Sequence, residues 1–308
     1  MAKVKLTEIM KEKQILSFEL FPPKTEEALE ELPGTIKELC KYEPDYISCT
    51  YGAGGGNART NKEVCKMVAE AGTLPVTHFT VIKNTREGMK EQLDGYLDAG
   101  IDHVLALRGD YPLGETSTCG DFDYATDLVK FIRDNYGDKF EIAVAGSPEG
   151  HITCRSLESD IAVLRQKQDN GADYIMTQLC WDMEAFKYWL DAIRKAGITM
   201  PVDVGIMPVL EISSTLNMAY SHNGCVIPRD LARLISKYWI FPNPFDKDPF
   251  DSFLEQKKAD FRKEGIEYTI NQIDQYRTMG IDGIHLYALN KSDAVSQIIE
   301  ESGMKTMI

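Results

Sequence analysis

Ser17-Phe-Glu-Leu-Phe-Pro-Pro-Lys-Thr25 is the stretch of sequence from which the fold and the site are best predicted. Its apolar start predicts a short buried strand from Ile15 to Phe21, with Glu19 near the carboxyl end. Pro22 and Pro23 end the strand because they lack backbone donors and fix φ. A charged carboxylate is costly to bury. Glu19 is therefore expected to have a partner or a raised pKa, unless it is an ordinary strand-end acid facing solvent.

Seven further strand patterns follow, each separated from the next by a helical pattern. This alternation predicts a parallel sheet with right-handed crossovers, and the apolar strands suit a sheet covered on both faces. Eight units in 308 residues fit a closed barrel better than an open sheet, and no G-x-G-x-x-G motif follows the first strand. The sequence therefore predicts an α/β fold, a single (β/α)8 TIM barrel over residues 1–308, with an inserted loop around 241–250. The helical stretch from Asp251 to Met279 is expected to be interrupted near Gly265.

Composition argues against several classes of partner. The net charge of −14 disfavours nucleic acid and anionic membranes, and no apolar run approaches the length of a membrane span. The segment from Met1 to Lys13 is charged and lacks the apolar core of a signal peptide. The seven cysteines are scattered without a C-x-x-C pair, as in reduced cytoplasmic proteins. We expect a cytoplasmic protein without a metal site.

Polar residues collect at the carboxyl ends of the predicted strands, where TIM barrels carry their active sites. The amino ends show no comparable set, and His103 and His285, early in their strands, are expected to be structural. The loop from Gly52 to Gly56 would allow a ligand close to the backbone. The convergence predicts an enzyme, and its acids and amides suit proton transfer around a bound cofactor. The converging residues are Glu19, Thr50, His78, Arg108, Asp110, Glu149, His151, Gln178 and Lys291.

Motifs at these strand ends resemble those of the 5,10-methylenetetrahydrofolate reductases, in order along the chain from about Leu16 to Val295. The resemblance implies an FAD-binding (β/α)8 barrel, which agrees with the fold predicted from the alternation of strands and helices. The motifs are Ser17-Phe-Glu-Leu-Phe-Pro-Pro-Lys-Thr25, Thr50-Tyr-Gly-Ala53, His78-Phe-Thr80, Ala106-Leu-Arg-Gly-Asp110, Gly171-Ala172 with Thr177-Gln178, and Leu289-Asn-Lys291.

The resemblance also implies a reaction, in which hydride passes from reduced FAD to methylenetetrahydrofolate and gives 5-methyltetrahydrofolate. Glu19 is then the general acid that helps open the folate's five-membered ring, a role that suits a raised pKa. Asp110 stabilises the cationic iminium, and Gln178 and Lys291 bind the folate. The implied cofactor-binding residues are Thr50, His78, Arg108, Gly109, Asp110, Tyr124, Ala125, His151, Asp160 and Lys167.

Five positions depart from the family's pattern: Lys291, Ser214 and Met218, together with Gln166 and Val163, which replace polar FAD contacts. Lys291 stands where an arginine is usual, so the charge stays but the bidentate fork is lost. Ser214 and Met218 stand where better-known bacterial members carry a substrate-contacting glutamine and a phenylalanine that stacks on the nicotinamide. The reducing equivalents are therefore expected to come from NAD(P)H or through an electron-delivering partner subunit. An oligomer is also expected.

Two other interpretations stay open at this point. One is a folate-binding methyltransferase-type barrel without flavin. The other is a non-catalytic binding barrel, although acids such as Glu19 and Asp110 at a cleft have no use in a scaffold.

Overall fold

The computed structural model describes residues 4–23, 25–51, 58–111, 114–221, 224–239, 251–288 and 290–304, with only the backbone of residues 58–59 and 251–254. The predicted loop from Gly52 to Gly56, the insertion around 241–250 and Leu289 lie outside the described residues. Among the described helices, none is long and apolar enough to cross a membrane.

Within these ranges, eight parallel strands close a barrel in chain order, and the last strand pairs with the first. This confirms the predicted (β/α)8 fold and the order of its strands. The strands are β1 (Ile15–Leu20), β2 (Tyr46–Cys49), β3 (Leu74–Thr80), β4 (His103–Leu107), β5 (Glu141–Gly146), β6 (Tyr174–Thr177), β7 (Val202–Ile206) and β8 (Gly283–Tyr287).

Helices connect successive strands, and the connection from β7 to β8 contains three of them. One further helix precedes β1 and was not predicted. The helices are α1 (Leu6–Glu12), α2 (Glu26–Cys40), α3 (Ala58–Glu70), α4 (Arg86–Leu97), α5 (Ala125–Tyr136), α6 (Leu157–Asp169), α7 (Met183–Lys195), α8 (Ile212–Tyr220), α9 (Arg229–Tyr238), α10 (Asp251–Arg277) and α11 (Ser292–Glu301).

The main apolar core lies between the barrel and the surrounding helices. Because successive strand residues point to opposite faces, Phe18 and Leu20 of β1 pack outward into this layer. Ser17 and Glu19, on the other face of β1, contact residues of strands across the barrel. The strand alternation therefore directs a polar row of β1 into the barrel interior.

The amino end of the barrel is covered by α1. Leu6 and Met10 of this helix pack on inward-facing barrel residues such as Ile15. Glu141, the first residue of β5, accepts hydrogen bonds from the backbone N–H of Leu6 at 2.7 Å and of Thr7 at 3.0 Å. The amino ends therefore do carry buried polar groups, and the expectation that they carry no comparable set is wrong. The Glu141 carboxylate is needed there because the first N–H groups of α1 have no acceptor within the helix.

The same cover includes a buried histidine. His103, the first residue of β4, places Nε2 3.0 Å from Glu141 Oε2 and Nδ1 2.7 Å from Asp102 Oδ1. His103 lies at the amino end of the barrel, whereas the converging polar residues lie at the carboxyl end. This position agrees with the structural role expected for it.

Helix α10 runs without a break, so the expected interruption near Gly265 is wrong. A Cβ atom on Gly265 would lie 2.0 Å from the carbonyl oxygen of Val209. Thr269 Oγ1, one turn later, donates to Gly265 O and accepts from Val209 N at 3.1 Å. The glycine is thus required by the close approach of the helix to the segment after β7, and it does not mark a helix end.

Candidate active site

Glu19 lies in the barrel interior near the carboxyl end of β1, and only 8% of it is exposed. Its Oε2 is 3.5 Å from His78 Nε2 on β3 and 3.5 Å from His285 Nε2 on β8. The prediction that a buried carboxyl here has partners is confirmed, and the alternative of a solvent-facing acid is wrong. The structure thus brings together side chains from three strands around one carboxyl group.

The pKa of Glu19 is lowered, so the expectation of a raised pKa is wrong. Burial raises it, but the hydrogen bond with His285 and the electrostatic interactions with the His78 and His285 imidazoles outweigh burial. Burial also lowers the pKa of His78 to about 4, so this imidazole is neutral at pH 7. The lowered pKa therefore departs from the role that the resemblance implies, while the expected partners are present.

His285 was expected to be structural, but it lies in the middle of β8 in direct contact with Glu19. It is fully buried, and its ring stacks on Tyr46 with centroids 5.5 Å apart. Its Nδ1 lies 2.7 Å from Ser17 Oγ, and its Nε2 lies 3.3 Å from Ser48 Oγ. These contacts fix the ring plane, so His285 belongs to the same polar group as Glu19.

Arg108, Gly109 and Asp110 follow β4 at the carboxyl end of the barrel. Arg108 Nε donates to Gly109 O at 3.1 Å, and its guanidinium lies 4.6 Å from the centre of the Tyr111 ring. Gly109 has φ of +84°, and a Cβ atom there would lie 2.7 Å from Ile82 Cγ1. Only glycine therefore fits this turn. Asp110 is exposed at the rim.

His151, in the segment after β5, is the meeting point of the predicted charged residues. Burial lowers its pKa, and the charges of Arg108 and Lys167 lower it further, while Asp160 and Asp110 raise it. Its Nδ1 lies 2.8 Å from the hydroxyl of Thr153. Side chains from β4, β5 and α6 are thus close enough to act on one another, as convergence of strand ends predicted.

Lys167 comes from α6 and reaches the end of β5. Its Nζ donates to the carbonyl oxygen of Ala145 at 2.8 Å. Burial lowers the pKa of the amine, and the nearby charge of Asp160 raises it. Asp160 Oδ1 in turn accepts from Cys154 Sγ at 3.3 Å. The Asp160 carboxylate is therefore near enough for its charge to act on the Lys167 amine and on His151.

Two buried hydroxyl groups lack partners at the same end. Neither Thr50 Oγ1, just after β2, nor Thr80 Oγ1, at the end of β3, has a hydrogen-bond partner among the described residues. A buried hydroxyl without a partner costs free energy, so a ligand that bonds to it is stabilised by removing that cost.

Tyr124 and Ala125 form the start of α5. Tyr124 is 60% exposed, and its backbone N–H donates to Asp127 Oδ2 at 3.0 Å. Ala125 is buried as the first residue of the helix. The capping carboxylate of Asp127 fixes the helix start, and the Tyr124 side chain beside it is exposed.

The two predicted folate residues lie at the ends of β6 and β8. Gln178 follows β6, and its Oε1 accepts from the backbone N–H of Leu179 at 2.9 Å. Lys291 lines a cavity of about 60 Å³ together with Ser214, Glu211 and Tyr287. The structure therefore places Ser214 and Lys291, two of the departures from the family pattern, in one cavity.

Glu149, another of the converging residues, holds the segment between α8 and α9. Its two carboxylate oxygens accept from the backbone N–H of Val226 at 3.1 and 3.2 Å. Burial raises the pKa of Glu149 to about 7, and the charge of Asp182 adds to this.

Sequence reasoning missed four polar residues of the barrel interior: His285, Ser17, Ser48 and Asp203. The signal was the alternation of the strands, because residues two apart share a face. Ser17 shares a face with Glu19, and in the register of the sheet Ser17 lies beside His285.

Comparison with known proteins identifies the family. The family model described as "Methylenetetrahydrofolate reductase" matches residues 5–303. "Methylenetetrahydrofolate reductase (NADH) 1" of Arabidopsis thaliana is 34% identical over 94% of this chain and 48% of its own length. "5,10-methylenetetrahydrofolate reductase" of Pectobacterium carotovorum subsp. carotovorum is 30% identical over 94% of this chain and 90% of its own length. The chain spans about half the length of the yeast and plant relatives it matches.

A solved structure of an uncharacterized protein from Clostridium thermocellum, which binds two copies of 5-methyl-5,6,7,8-tetrahydrofolic acid, has the same fold. It covers 99% of this chain and 100% of its own, with a TM-score of 0.64 and 15% identity. The family model covers nearly the whole chain, and the fold and the strand-end motifs agree with it. The chain belongs to the methylenetetrahydrofolate reductase family.

Proposed function

We propose that this chain reduces 5,10-methylenetetrahydrofolate to 5-methyltetrahydrofolate. The observation that carries the proposal is the position of Glu19, which is buried between His78 and His285 at the carboxyl end of the barrel. Opening the folate ring requires a proton on the leaving nitrogen, and a carboxyl in contact with imidazoles can hold and deliver one. Membership of a family named for this reaction supports the same conclusion.

In this proposal Glu19 is the general acid. Because the imidazoles lower its pKa, the proton is supplied by the pair of Glu19 and His285 and not by an isolated carboxyl of high pKa. Asp110, exposed at the rim, provides a negative charge for the cationic iminium. Gln178 is proposed to bind the pterin, and Lys291 the glutamate tail.

The proposed cofactor is FAD, which supplies the hydride when it is bound. The chain's residues fit such a group: the hydroxyls of Thr50 and Thr80 are buried without partners in the described part of the chain, and the cations Arg108 and Lys167 both act on His151, which suits a pyrophosphate. The tight turn at Gly109 lets a ligand approach the backbone. The proposed FAD-binding residues are Thr50, His78, Arg108, Gly109, Asp110, Tyr124, Ala125, His151, Asp160 and Lys167.

The reducing equivalents are proposed to come from NAD(P)H or through a partner subunit. Met218 on α8 is a flexible thioether and offers no ring face for a nicotinamide. This favours the partner subunit, whereas the name of the Arabidopsis relative contains NADH. We further propose a cytoplasmic oligomer, which sedimentation of the purified protein would test.

Stopped-flow measurement of flavin bleaching tests the proposal. The FAD-loaded protein is mixed anaerobically with NADH, with NADPH and with methyltetrahydrofolate. Bleaching by methyltetrahydrofolate supports the folate chemistry, and bleaching by a nicotinamide as well identifies a self-sufficient reductase. A folate-binding protein that takes up no flavin would instead be the methyltransferase-type barrel, and the proposal would fall.

A further inference from the structure

Beneath Glu19, a line of buried polar side chains runs through the barrel interior to Asp203 on β7. Asp203 is 0% exposed, and its Oδ2 accepts hydrogen bonds from Tyr46 OH at 2.6 Å and from Ser17 Oγ at 3.3 Å. Ser17 Oγ also lies 2.7 Å from His285 Nδ1, and His285 Nε2 lies 3.5 Å from Glu19 Oε2. Asp203 is therefore connected to Glu19 through one hydroxyl and one imidazole.

The hydroxyl of Ser17 has a single proton, so it cannot donate to both neighbours. When it donates to Asp203, its lone pair accepts the proton of His285 Nδ1. The imidazole Nε2 then faces Glu19 as the position that exchanges a proton with the carboxyl group. When Ser17 donates to Nδ1, the neutral ring carries its proton on Nε2, and Glu19 must be the bare carboxylate. The charge of Asp203 favours the first arrangement.

We propose that Asp203 is a positioning residue of the reductase site, which through Ser17 keeps one proton on His285 Nδ1 and thereby retains a second proton between His285 Nε2 and Glu19. This inference rests on the proposed reductase function. In the proton transfer, the Glu19 O–H bond breaks and an N–H bond forms on the folate nitrogen. The electron pair of the breaking C–N bond moves onto that nitrogen, and the carboxylate that remains faces His285.

Packing alone does not account for a carboxyl group at this position. Asp203 Oδ1 has no hydrogen-bond partner in the described part of the chain, and burial raises the pKa of Asp203. A buried, half-satisfied acid costs stability, which an apolar residue would avoid. Gly283 on β8 provides the space, since a Cβ atom there would lie 2.6 Å from Asp203 Oδ1. An action of the Asp203 charge on His285 explains both the stability cost of this buried acid and the space that Gly283 leaves for it.

Few other ionisable groups face this line. Burial raises the pKa of the tyrosines and the cysteine among them, so these groups stay neutral at pH 7 and do not compete for the proton. The groups that face Asp203 are Tyr46, Tyr174, Tyr287, His285 and Asp45, and those that face Glu19 are His78, His285, Cys49 and Tyr287.

The test compares Asp203→Asn and Tyr46→Phe with the matched control Tyr174→Phe. Tyr174 is a tyrosine of the same barrel interior, equally buried, but its hydroxyl has no partner among the described residues. Chemically reduced enzyme is mixed with methylenetetrahydrofolate at a series of pH values, and flavin reoxidation is followed in a single turnover. This measurement needs no electron donor.

Removal of the charge lowers the proton affinity of the Glu19–His285 pair. In Asp203→Asn, the fall in rate on the alkaline side should begin at a pH about one unit lower than in the wild type. Above that pH, the variant should therefore be about tenfold slower than the wild type. Tyr46→Phe removes a hydrogen bond that stabilises the ionised form of Asp203. It should shift the alkaline fall of the pH–rate profile in the same direction, but by less than Asp203→Asn. Tyr174→Phe should leave the profile unchanged.

A second readout does not depend on activity. Nitrogen-15 NMR of the histidine side chains reports which ring nitrogen carries the proton, and His285→Gln assigns the signal. We expect the proton on Nδ1 in the wild type and on Nε2 in Asp203→Asn. An unchanged tautomer and an unchanged pH profile in both Asp203→Asn and Tyr46→Phe would overturn the inference. A wild type that reduces no folate would defeat the proposed function instead, while the tautomer would still test the role of Asp203.

Discussion

Glu141 Oε2 accepts a hydrogen bond from the backbone N–H of Leu6 at 2.7 Å, so the first residue of β5 holds the start of α1 against the barrel. The same carboxylate lies 3.0 Å from His103 Nε2. Burial raises the pKa of Glu141, but hydrogen bonds with His103 and Thr7 bring it down to about 2. The folded protein therefore holds this carboxyl group ionised, and part of its stability depends on that charge.

Glu141→Gln should lower the free energy of unfolding at pH 7 by about 2–4 kcal/mol, because it leaves a buried histidine and a helix start without their charged acceptor. Urea denaturation measures the loss. The exposed Glu184→Gln is the matched control, with an expected change within about 0.5 kcal/mol. Equal effects of the two substitutions would contradict the role given to Glu141.

The pH dependence of the wild type follows from the same pair. The contribution of Glu141 is fully present above its unfolded pKa of 4.5 and is lost as the pH falls through about 2. The pKa of His103 is raised above 6.5: burial lowers it, but hydrogen bonds with Asp102 and Glu141 outweigh burial. Its contribution is present below pH 6.5 and is lost as the pH rises through the folded pKa. In Glu141→Gln, most of the decrease in the free energy of unfolding that this carboxyl causes at acid pH should be absent.

Gly265→Ala should destabilise the protein by about 1–3 kcal/mol, because the new methyl group would overlap the carbonyl of Val209. Gly95→Ala in α4 is the matched control, since its Cβ would meet only the mobile end of Lys62. Alanine is the better helix former, so Gly95→Ala should stabilise by up to about 1 kcal/mol. Thermal unfolding of both variants checks the difference, and a stabilising Gly265→Ala would show that the close approach is not tight.

Glu149→Gln should stabilise the protein in alkaline solution and change little in acid. The folded pKa of about 7 lies above the usual 4.5, so the fold disfavours the ionised form, and the wild type loses stability as the pH rises between these values. Allowing for solvent screening of this half-buried group, the gain above pH 7 is about 1 kcal/mol. The melting temperatures of the variant and the wild type are compared between about pH 4.5 and 8. A constant difference between them over this pH range would contradict the raised pKa of Glu149.

Glu19→Gln should lower the rate of flavin reoxidation by methylenetetrahydrofolate at least about 100-fold, because the amide cannot deliver the proton. FAD content should stay unchanged, since the substitution keeps the shape of the side chain. Absorbance of the purified variant measures bound flavin, and the single-turnover rate measures the chemistry. Loss of flavin in place of loss of rate would make Glu19 structural.

The order of strands could be predicted because each strand–helix unit has its own apolar pattern and most of the helices end at a glycine. The convergence of Arg108 and His151 was predictable for a related reason, since the ends of parallel strands meet at one edge, whereas Asp160 and Lys167 come from α6 and were implied only by the resemblance. These are properties that local sequence and topology determine together.

The environment of Glu19 could not be predicted in the same way. Its pKa depends on His285, which lies 266 positions later in the chain and becomes a neighbour only when β8 closes against β1. Helix α1 escaped prediction for a similar reason, because the acceptor for its first N–H groups lies on β5. Gly265 was misread since a lone glycine in a helical pattern looks the same whether it ends a helix or admits a neighbouring backbone.

The cover that α1 places over the amino end buries the inward-facing barrel residues of that end, such as Ile15, among the residues that the structure describes. Asp203, Ser17 and His285 lie inside the barrel and are fully buried, and Glu19 is the member of this polar line that lies nearest the carboxyl end. Under the proposed function, the folate binds at this carboxyl end, next to the outermost member of the buried polar line. A proton that Glu19 gives to the folate in the proposed reaction therefore leaves a buried group, and it has to be replaced before the next turnover.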